Sequence, residues 1–341
     1  LAQDRVIGAL RSAYVGGRLP HALLFAGPEG VGKGTTAIAL GRLFLCTSPD
    51  RARVEACGKC DSCLLFDAPD EAGVIGNGGG GTHPDYHRVY RQLVRLQKDS
   101  VARDLSVDVI RDFLVVPASH SSQLGLGKVF VVEEAETMNT QAQNALLKTL
   151  EEPAGNTLIV LLTSQSGALL PTIRSRCQPQ FFGPIPERVV VEQLVKRGAG
   201  EEDARDAARL GEGSLGVAIR LWKDGLLPSI RELEQRITAT LSGKGAAGGD
   251  DLPKFLKQFG ETLAEKTLER DPAGSKDQAT REALVLVMKL AADHCRRFLR
   301  KARTRTGMNR LCTAIDHLTQ AQNNIESNAA ISLSLQAISA Q

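Results

Sequence analysis

The stretch that most constrains this chain is Gly27-Pro28-Glu29-Gly30-Val31-Gly32-Lys33, set between the apolar run Leu23-Leu24-Phe25-Ala26 and helical material from Lys33 to about Leu45. A glycine-rich turn that leaves a buried strand and opens a helix is the setting of a phosphate loop. Gly27, Gly30 and Gly32 let backbone N–H groups point into a cradle for phosphate oxygens. The helix N-terminus adds a favourable dipole, and Lys33 supplies a point charge for the β and γ phosphates. Such a loop belongs to a parallel α/β sheet, and two further runs fit one, Val129-Phe130-Val131-Val132 and Leu158-Ile159-Val160-Leu161-Leu162. Short apolar runs separated by helices predict strands covered on both faces.

The loop departs from its pattern at the next position. A Ser or Thr there would offer a hydroxyl to Mg2+, but the residue is Gly34. Thr35 is one residue on, turned by about 100° around the helix and expected to point away from a metal. The second acidic element of such a site should end a strand, and the 129–132 run ends in Glu133-Glu134. Asp is the usual first member; Glu133 carries one more methylene, a large displacement for octahedral Mg2+ at about 2.1 Å. The residues predict a nucleotide cradle for ATP or ADP with weakly held Mg2+, and turnover that is weak or absent. A solvated acid pair opening a helix is the plainer alternative for Glu133 and Glu134.

Four of the seven cysteines fall close together: Cys46, then ten residues, then Cys57-x-x-Cys60-x-x-Cys63. Four thiolates can close a tetrahedral Zn2+ site with no open position, which makes the expected role structural. An iron–sulfur cluster uses similar spacing and stays open at this point; disulfides fit a reducing cytoplasm poorly. His83 and His87 are left outside the ligand set. Cys177, Cys295 and Cys312 read as ordinary small residues.

At 341 residues, with Lys plus Arg 42 against Asp plus Glu 39, the chain is too long for one core and too balanced for a polycation or an acidic tail. Aromatic residues make up 4%, fewer than a protein gripping bases by stacking would carry. No apolar run reaches the ~18 residues of a membrane span, so a cytoplasmic protein with no membrane partner is expected. The chain opens on Leu1 rather than Met, and a few preceding residues are expected to be missing. Three domains are predicted: an α/β domain over 1–180 carrying the four-cysteine module at 46–63, a small helical domain over 181–224, and a helical domain over 225–341. Asn77-Gly78-Gly79-Gly80-Gly81 reads as a flexible surface loop, and 243–253 as a loop between helices.

Taken together, the motifs resemble a known family, the bacterial DNA polymerase III clamp-loader subunits of the AAA+ class. The resemblance is carried by His21-Ala22-Leu23-Leu24-Phe25 leading into the phosphate loop, the cysteine module, His83-Pro84-Asp85, and Glu133-Glu134-Ala135-Glu136-Thr137-Met138. Asn144-Ala145-Leu146-Leu147-Lys148-Thr149-Leu150-Glu151-Glu152-Pro153 and Ser175-Arg176-Cys177 complete it. It covers residues 1 to about 220 closely, and within the family it is nearest to the delta-prime type. The resemblance implies an AAA+ domain, a helical lid over 181–224 and a C-terminal collar over 225–341. It implies that Arg176 reaches a neighbour's ATP site as an arginine finger, where a guanidinium neutralises charge on a transferring phosphoryl group; a surface ion pair is the alternative. Thr163 takes the place of the residue that senses the γ-phosphate. Gly216, in Gly213-Ser214-Leu215-Gly216-Val217-Ala218, stands where motor subunits carry a second sensor Arg.

Gly34, Glu133 and Gly216 all remove or displace a group acting on Mg2+ or the γ-phosphate, so the resemblance implies a subunit that serves a neighbour's site more than its own. Its partners would be other loader subunits in a hetero-oligomeric ring, a sliding clamp, and primed DNA through the complex. The other readings are an active motor subunit of the gamma/tau kind, and a zinc-containing DNA-binding protein with a vestigial nucleotide fold. Arg296, Arg297, Arg300, Lys301, Arg303, Arg305 and Arg310 form an acid-free basic stretch, expected as one helix. It suits either phosphate contacts or a solvated face.

Overall fold

Five parallel strands form one sheet in the order β2-β3-β4-β1-β5: β1 Ala22–Ala26, β2 Tyr86–Val89, β3 Lys128–Val132, β4 Thr157–Thr163 and β5 Gln178–Phe181. The computed structural model describes residues 2–67, 82–96, 104–241, 252–270, 276–300 and 304–326. The predicted runs at 23–26, 129–132 and 158–162 are the three central strands. Their residues alternate between two cores. Leu24, Phe130, Val132, Ile159 and Leu161 face one side, and Leu23, Phe25, Val129, Val131, Leu158 and Val160 the other. Burial on both faces is why these runs read as continuously apolar. Fully burying one such side chain stabilises the fold by about 1.5–3 kcal/mol.

Helices cover both faces. On one side pack α1 (Asp4–Val15), α2 (Lys33–Phe44) and, through Phe66, α3 (Asp61–Asp67). On the other lie a helical stretch made of α4 (Val107–Ile110), π-helical residues 111–115 and α5 (Val116–Ser119), then α6 (Thr140–Glu151) and α7 (Pro171–Arg174). Asn139 caps α6, its side chain accepting from Ala142 N at 2.8 Å. At the other end of α6 the His21 ring bonds the Leu150 carbonyl at 2.8 Å, so two motifs far apart in sequence meet there.

The edge strands were not legible in the sequence. In β2 the middle residues are His87 and Arg88, and β5 is Gln-Pro-Gln-Phe, with Phe181 70% exposed. Pro179 is tolerated there because β5 is an edge. The boundary expected at residue 180 therefore falls inside the last strand.

The chain divides into two compact units, 1–219 and 220–341. Helices α8 (Glu187–Val195), α9 (Glu201–Leu210) and the start of α10 (Leu215–Lys223) belong to the first. The second contains α11 (Leu227–Leu241), α12 (Leu252–Arg270), α13 (Lys276–Leu299) and α14 (Arg305–Glu326). Helix α13 buries Ala279, Ala283, Val287, Ala291 and Cys295 at a spacing of four, beside Leu284, Met288 and Ala292. Close approach is needed at Gly260, where a Cβ would come within 2.5 Å of Leu284 Cδ2.

The basic stretch expected as one helix is not continuous. Its residues are split between the end of α13 and the start of α14, and Arg297 is spent on Glu234 at 2.6 Å and Asp293 at 3.1 Å. Lys301 and Arg303 lie outside the described residues, as do the 77–81 run and residues 243–251; Pro253 sits in the first turn of α12. Among the described residues no helix is long and apolar enough to cross a membrane.

Candidate functional site

The register of the sheet assembles the site at the carboxyl ends of the strands, where open parallel sheets hold ligands. Ala26, the last residue of β1, pairs with Thr163 of β4, and Gly27 N donates to Thr163 O at 3.2 Å. Glu133 N donates to Val89 O at 2.9 Å, bringing the end of β2 alongside the acid pair. A cleft of about 830 Å³ results, lined among others by Gly30, Gly32, Lys33, Gly34, Thr35, Glu133, Glu134, Thr163 and Gly216. That volume is of the size that holds small ligands.

Gly30 and Gly32 have φ of +70° and +103°, the left-handed backbone that turns amides into the cradle. Gly216 N donates to Gly30 O at 3.0 Å, and a Cβ on Gly216 would lie 2.8 Å from Gly30 Cα. The start of α10 thus rests on the loop backbone where the resemblance placed a missing arginine. Lys33 Nζ donates to the carbonyls of Gly27 (2.5 Å) and Pro28 (2.6 Å). Burial pushes its ammonium down from the ordinary lysine value, with Glu136 and Glu29 working the other way. Thr35 is exposed, and Thr36 Oγ1 donates to Gly32 O at 2.9 Å, spending that hydroxyl on the helix. At Gly34 the nearest atom to an added Cβ is Leu162 Cδ1 at 3.9 Å, so the hydroxyl is missing although a side chain would fit.

The acids are held by groups the sequence did not single out. Arg88, from β2, bonds Glu133 Oε1 through Nε at 2.8 Å and through its terminal nitrogen at 2.7 Å. Arg91 Nε lies 2.8 Å from Glu134 Oε2. Burial raises the Glu134 carboxyl, Arg91 lowers it, and neighbouring Glu136, Glu133 and Glu29 add to the rise. Glu136 accepts from Ser164 N at 3.1 Å and Ser164 Oγ at 2.5 Å. Burial opposes its ionisation, but hydrogen bonds from Ser164, the local amides and Thr163 outweigh it and hold the carboxyl low. The Thr163 hydroxyl also accepts from Gln165 N at 3.0 Å, so the sensing candidate is tied into this network. Arg88, Arg91, Glu136 and Arg197 all line the cleft. Glu136 was visible within its motif; Arg88 was not, because its strand went unread.

Cys46, Cys57, Cys60 and Cys63 converge, with all four sulfurs within 4.8 Å of one another. Cys46 and Cys60 Sγ are 3.9 Å apart, close to the ~3.8 Å that a tetrahedral site with metal–sulfur bonds of about 2.3 Å requires. The donor set fits a thiophilic metal. Burial pushes the Cys46 thiol up to about 12. At Cys60 burial acts upward as well, yet hydrogen bonds from Thr47 and nearby amides bring the thiol down to about 6. The module is tied to the domain by Arg42, which forks onto Asp67 at 3.0 and 2.5 Å. It is also held by Ser62, which donates to Leu45 O at 2.6 Å and meets His83 Nε2 at 3.0 Å. With His83 Nδ1 taking the Asp85 amide at 3.1 Å, both its ring nitrogens are used; His87 stacks on Phe130.

Arg176 is not among the residues lining its own chain's cleft. It follows α7 and donates through Nε to Glu151 Oε1 at 2.7 Å and through NH1 to Thr172 O at 2.9 Å. Glu151 is the last residue of α6, so the 144–153 and 175–177 motifs meet in one ion pair. Cys177 beside it is buried, which pushes its thiol up to about 12 and makes it an anchor for the motif.

A family profile described as "DNA polymerase III, delta subunit" matches residues 2–186, more than half of the chain. The chain belongs to this family. Among its relatives, the DNA polymerase III subunit delta' of Pseudomonas aeruginosa is 35% identical over 240 residues, 69% of this chain and 66% of that protein. The Escherichia coli (strain K12) subunit delta' is 36% identical over 215 residues, 63% of this chain and 58% of that one. The DNA polymerase III subunit gamma/tau of Mycobacterium bovis is 32% identical over 196 residues, 58% of this chain and 30% of that protein. The chain thus matches 58–66% of the length of the two delta' relatives. The family match spans the phosphate loop, the cysteine module, the acid pair and Arg176, and ends before Gly216.

Proposed function

We propose that this chain is a delta-prime-type subunit of a DNA polymerase III clamp loader, acting in the ATP-dependent loading of a sliding clamp onto primed DNA. In this reading residues 1–180 are an AAA+ domain, 181–224 its helical lid and 225–341 a collar that joins other subunits in a hetero-oligomeric ring. The protein works in the cytoplasm. The cysteine module holds structural Zn2+, and Arg176 is presented to the ATP of the adjacent subunit. The observation that carries the reading is the position of Arg176. Within a chain whose family match reaches residue 186, this motif arginine stands outside its own cleft, just after α7 and partly exposed.

The chain's own cleft is equipped for holding phosphates more than for hydrolysis. Bound nucleotide would supply the phosphate chain that the loop amides and Lys33 are arranged to meet. Glu133 and Glu134, the candidates for metal and water work, are engaged by Arg88 and Arg91, and Gly34 offers no hydroxyl. A group that polarises water must be within hydrogen-bond reach of it and unneutralised. Steady-state hydrolysis is therefore expected to be at background for the isolated chain, while omitting the chain from a reconstituted loader stops clamp loading. Hydrolysis by the isolated chain that Lys33→Ala abolishes would instead identify a motor subunit. Salt-sensitive DNA binding by the chain alone, without recruitment of ATPase partners, would favour the zinc-containing DNA-binding reading.

A further inference from the structure

We infer that the cleft takes the phosphate chain of a nucleoside di- or triphosphate without a divalent cation, Arg88 and Arg91 already holding the acids that would ligate the metal. Three independent positions point this way. Gly34 lacks the hydroxyl although there is room for one. Glu133 is bonded twice by Arg88, and Glu134 is paired with Arg91. Mg2+ binds carboxylate oxygens at about 2.0–2.1 Å and draws its affinity from ionised ligands with little other cation nearby. To reach Glu133 Oε1 it would have to displace a guanidinium that contacts this oxygen through two nitrogens and also lies over the Tyr90 ring at 5.4 Å.

The charges that remain suit phosphate. The loop amides and the N-terminus of α2 are in place, and among the described residues Lys33 donates only to the neutral carbonyls of Gly27 and Pro28. Arg197, which also lines the cleft, donates to neutral oxygens of Gln193 at 2.7 and 2.9 Å. Phosphate oxygens can replace both sets of carbonyl and amide acceptors with charged ones, and charge-assisted bonds of this kind are roughly twice as strong as neutral ones. Glu29 and Glu136 oppose the ligand, which favours a diphosphate over the more highly charged triphosphate when no metal screens it.

The inference deepens the reading of the cleft as a nucleotide pocket and is independent of Arg176. It is tested on the isolated chain by titrating a fluorescent ADP analogue in EDTA and again in millimolar Mg2+. The affinity is expected to agree within about twofold or to weaken with Mg2+, whereas a metal-dependent loop would gain about tenfold or more. Lys33→Ala should abolish binding in EDTA, and inorganic pyrophosphate should compete. Arg88→Ala, by freeing Glu133, should make binding rise about tenfold with Mg2+. Gly34→Ser tests the same point in a variant with space for its side chain: with Arg88 intact it should confer no Mg2+ dependence. No binding in EDTA, a large Mg2+ gain in the unmodified chain or in Gly34→Ser alone, or failure of pyrophosphate to compete would each overturn the inference. These outcomes leave the Arg176 reading standing, since that is measured on the partners' turnover.

Discussion

Arg176→Ala is expected to lower ATP turnover at the neighbouring site of a reconstituted loader by on the order of 10³-fold, the effect of removing an arginine finger supplied in trans. ATP binding by the partners and assembly of the complex should be unchanged. Such a loss corresponds to about 4 kcal/mol of transition-state stabilisation. The pair that Arg176 makes with Glu151 is far weaker: both side chains are partly exposed, at 33% and 47%, and exposed pairs contribute about 0.2–1 kcal/mol. Glu151 therefore orients the guanidinium without trapping it, and exchange of one carboxylate for a phosphoryl group remains favourable. Glu151→Gln should change turnover only a few-fold, while Arg176→Lys, which keeps the charge but loses the fork, should recover only part of it. DNA-dependent turnover in the Arg176→Ala loader equal to that of the unmodified loader would end the trans-acting role.

What could be read in advance followed burial and local spacing. Strands β1, β3 and β4 were legible because both of their faces are apolar, and the cysteine set because four ligands sit within one short segment. The edge strands β2 and β5 carry polar residues that no alternation rule selects, and missing β2 also hid Arg88. Its partner Glu133 is 45 residues away, and the contact exists only because β2 lies parallel to β3 with Arg88 opposite Val131. The sequence therefore showed an altered acid pair, while the reason it is chemically occupied lay in the register of the sheet. Similarly, Glu151 and Arg176 both stood in recognised motifs, yet only the packing of α6 against α7 makes them a pair. The expected basic helix misled because an acid-free run says nothing of partners on other helices, and Arg297 found Glu234 on α11.

Removal of the metal from the cysteine module is expected to lower the melting temperature substantially without unfolding the sheet. Four sulfurs within 4.8 Å, with hydrogen bonds from Thr47 and nearby amides holding the Cys60 thiol low, favour negative charge in a partly buried cluster that a divalent cation offsets. Without the cation the cluster must protonate or spread apart, freeing the 46–63 segment. The loss should stop at the anchors: Ser62 on Leu45 and His83, and Arg42 on Asp67, tie α3 to a sheet whose own core does not include the metal. A local loss of about 3 kcal/mol corresponds to a fall of roughly 6–12 °C for a domain of this size. The purified chain should release one equivalent of zinc on thiol modification. Cys60→Ser should reproduce the fall in melting temperature, and Cys177→Ser, at a buried thiol outside the cluster, should keep the metal. Acidification should release zinc as the ligands protonate, the direction set by competition between protons and metal for the same sulfurs. Iron with a visible charge-transfer band in place of zinc would assign the cluster to iron–sulfur chemistry. A melting temperature indifferent to chelation would show that the four thiols are held together by packing alone.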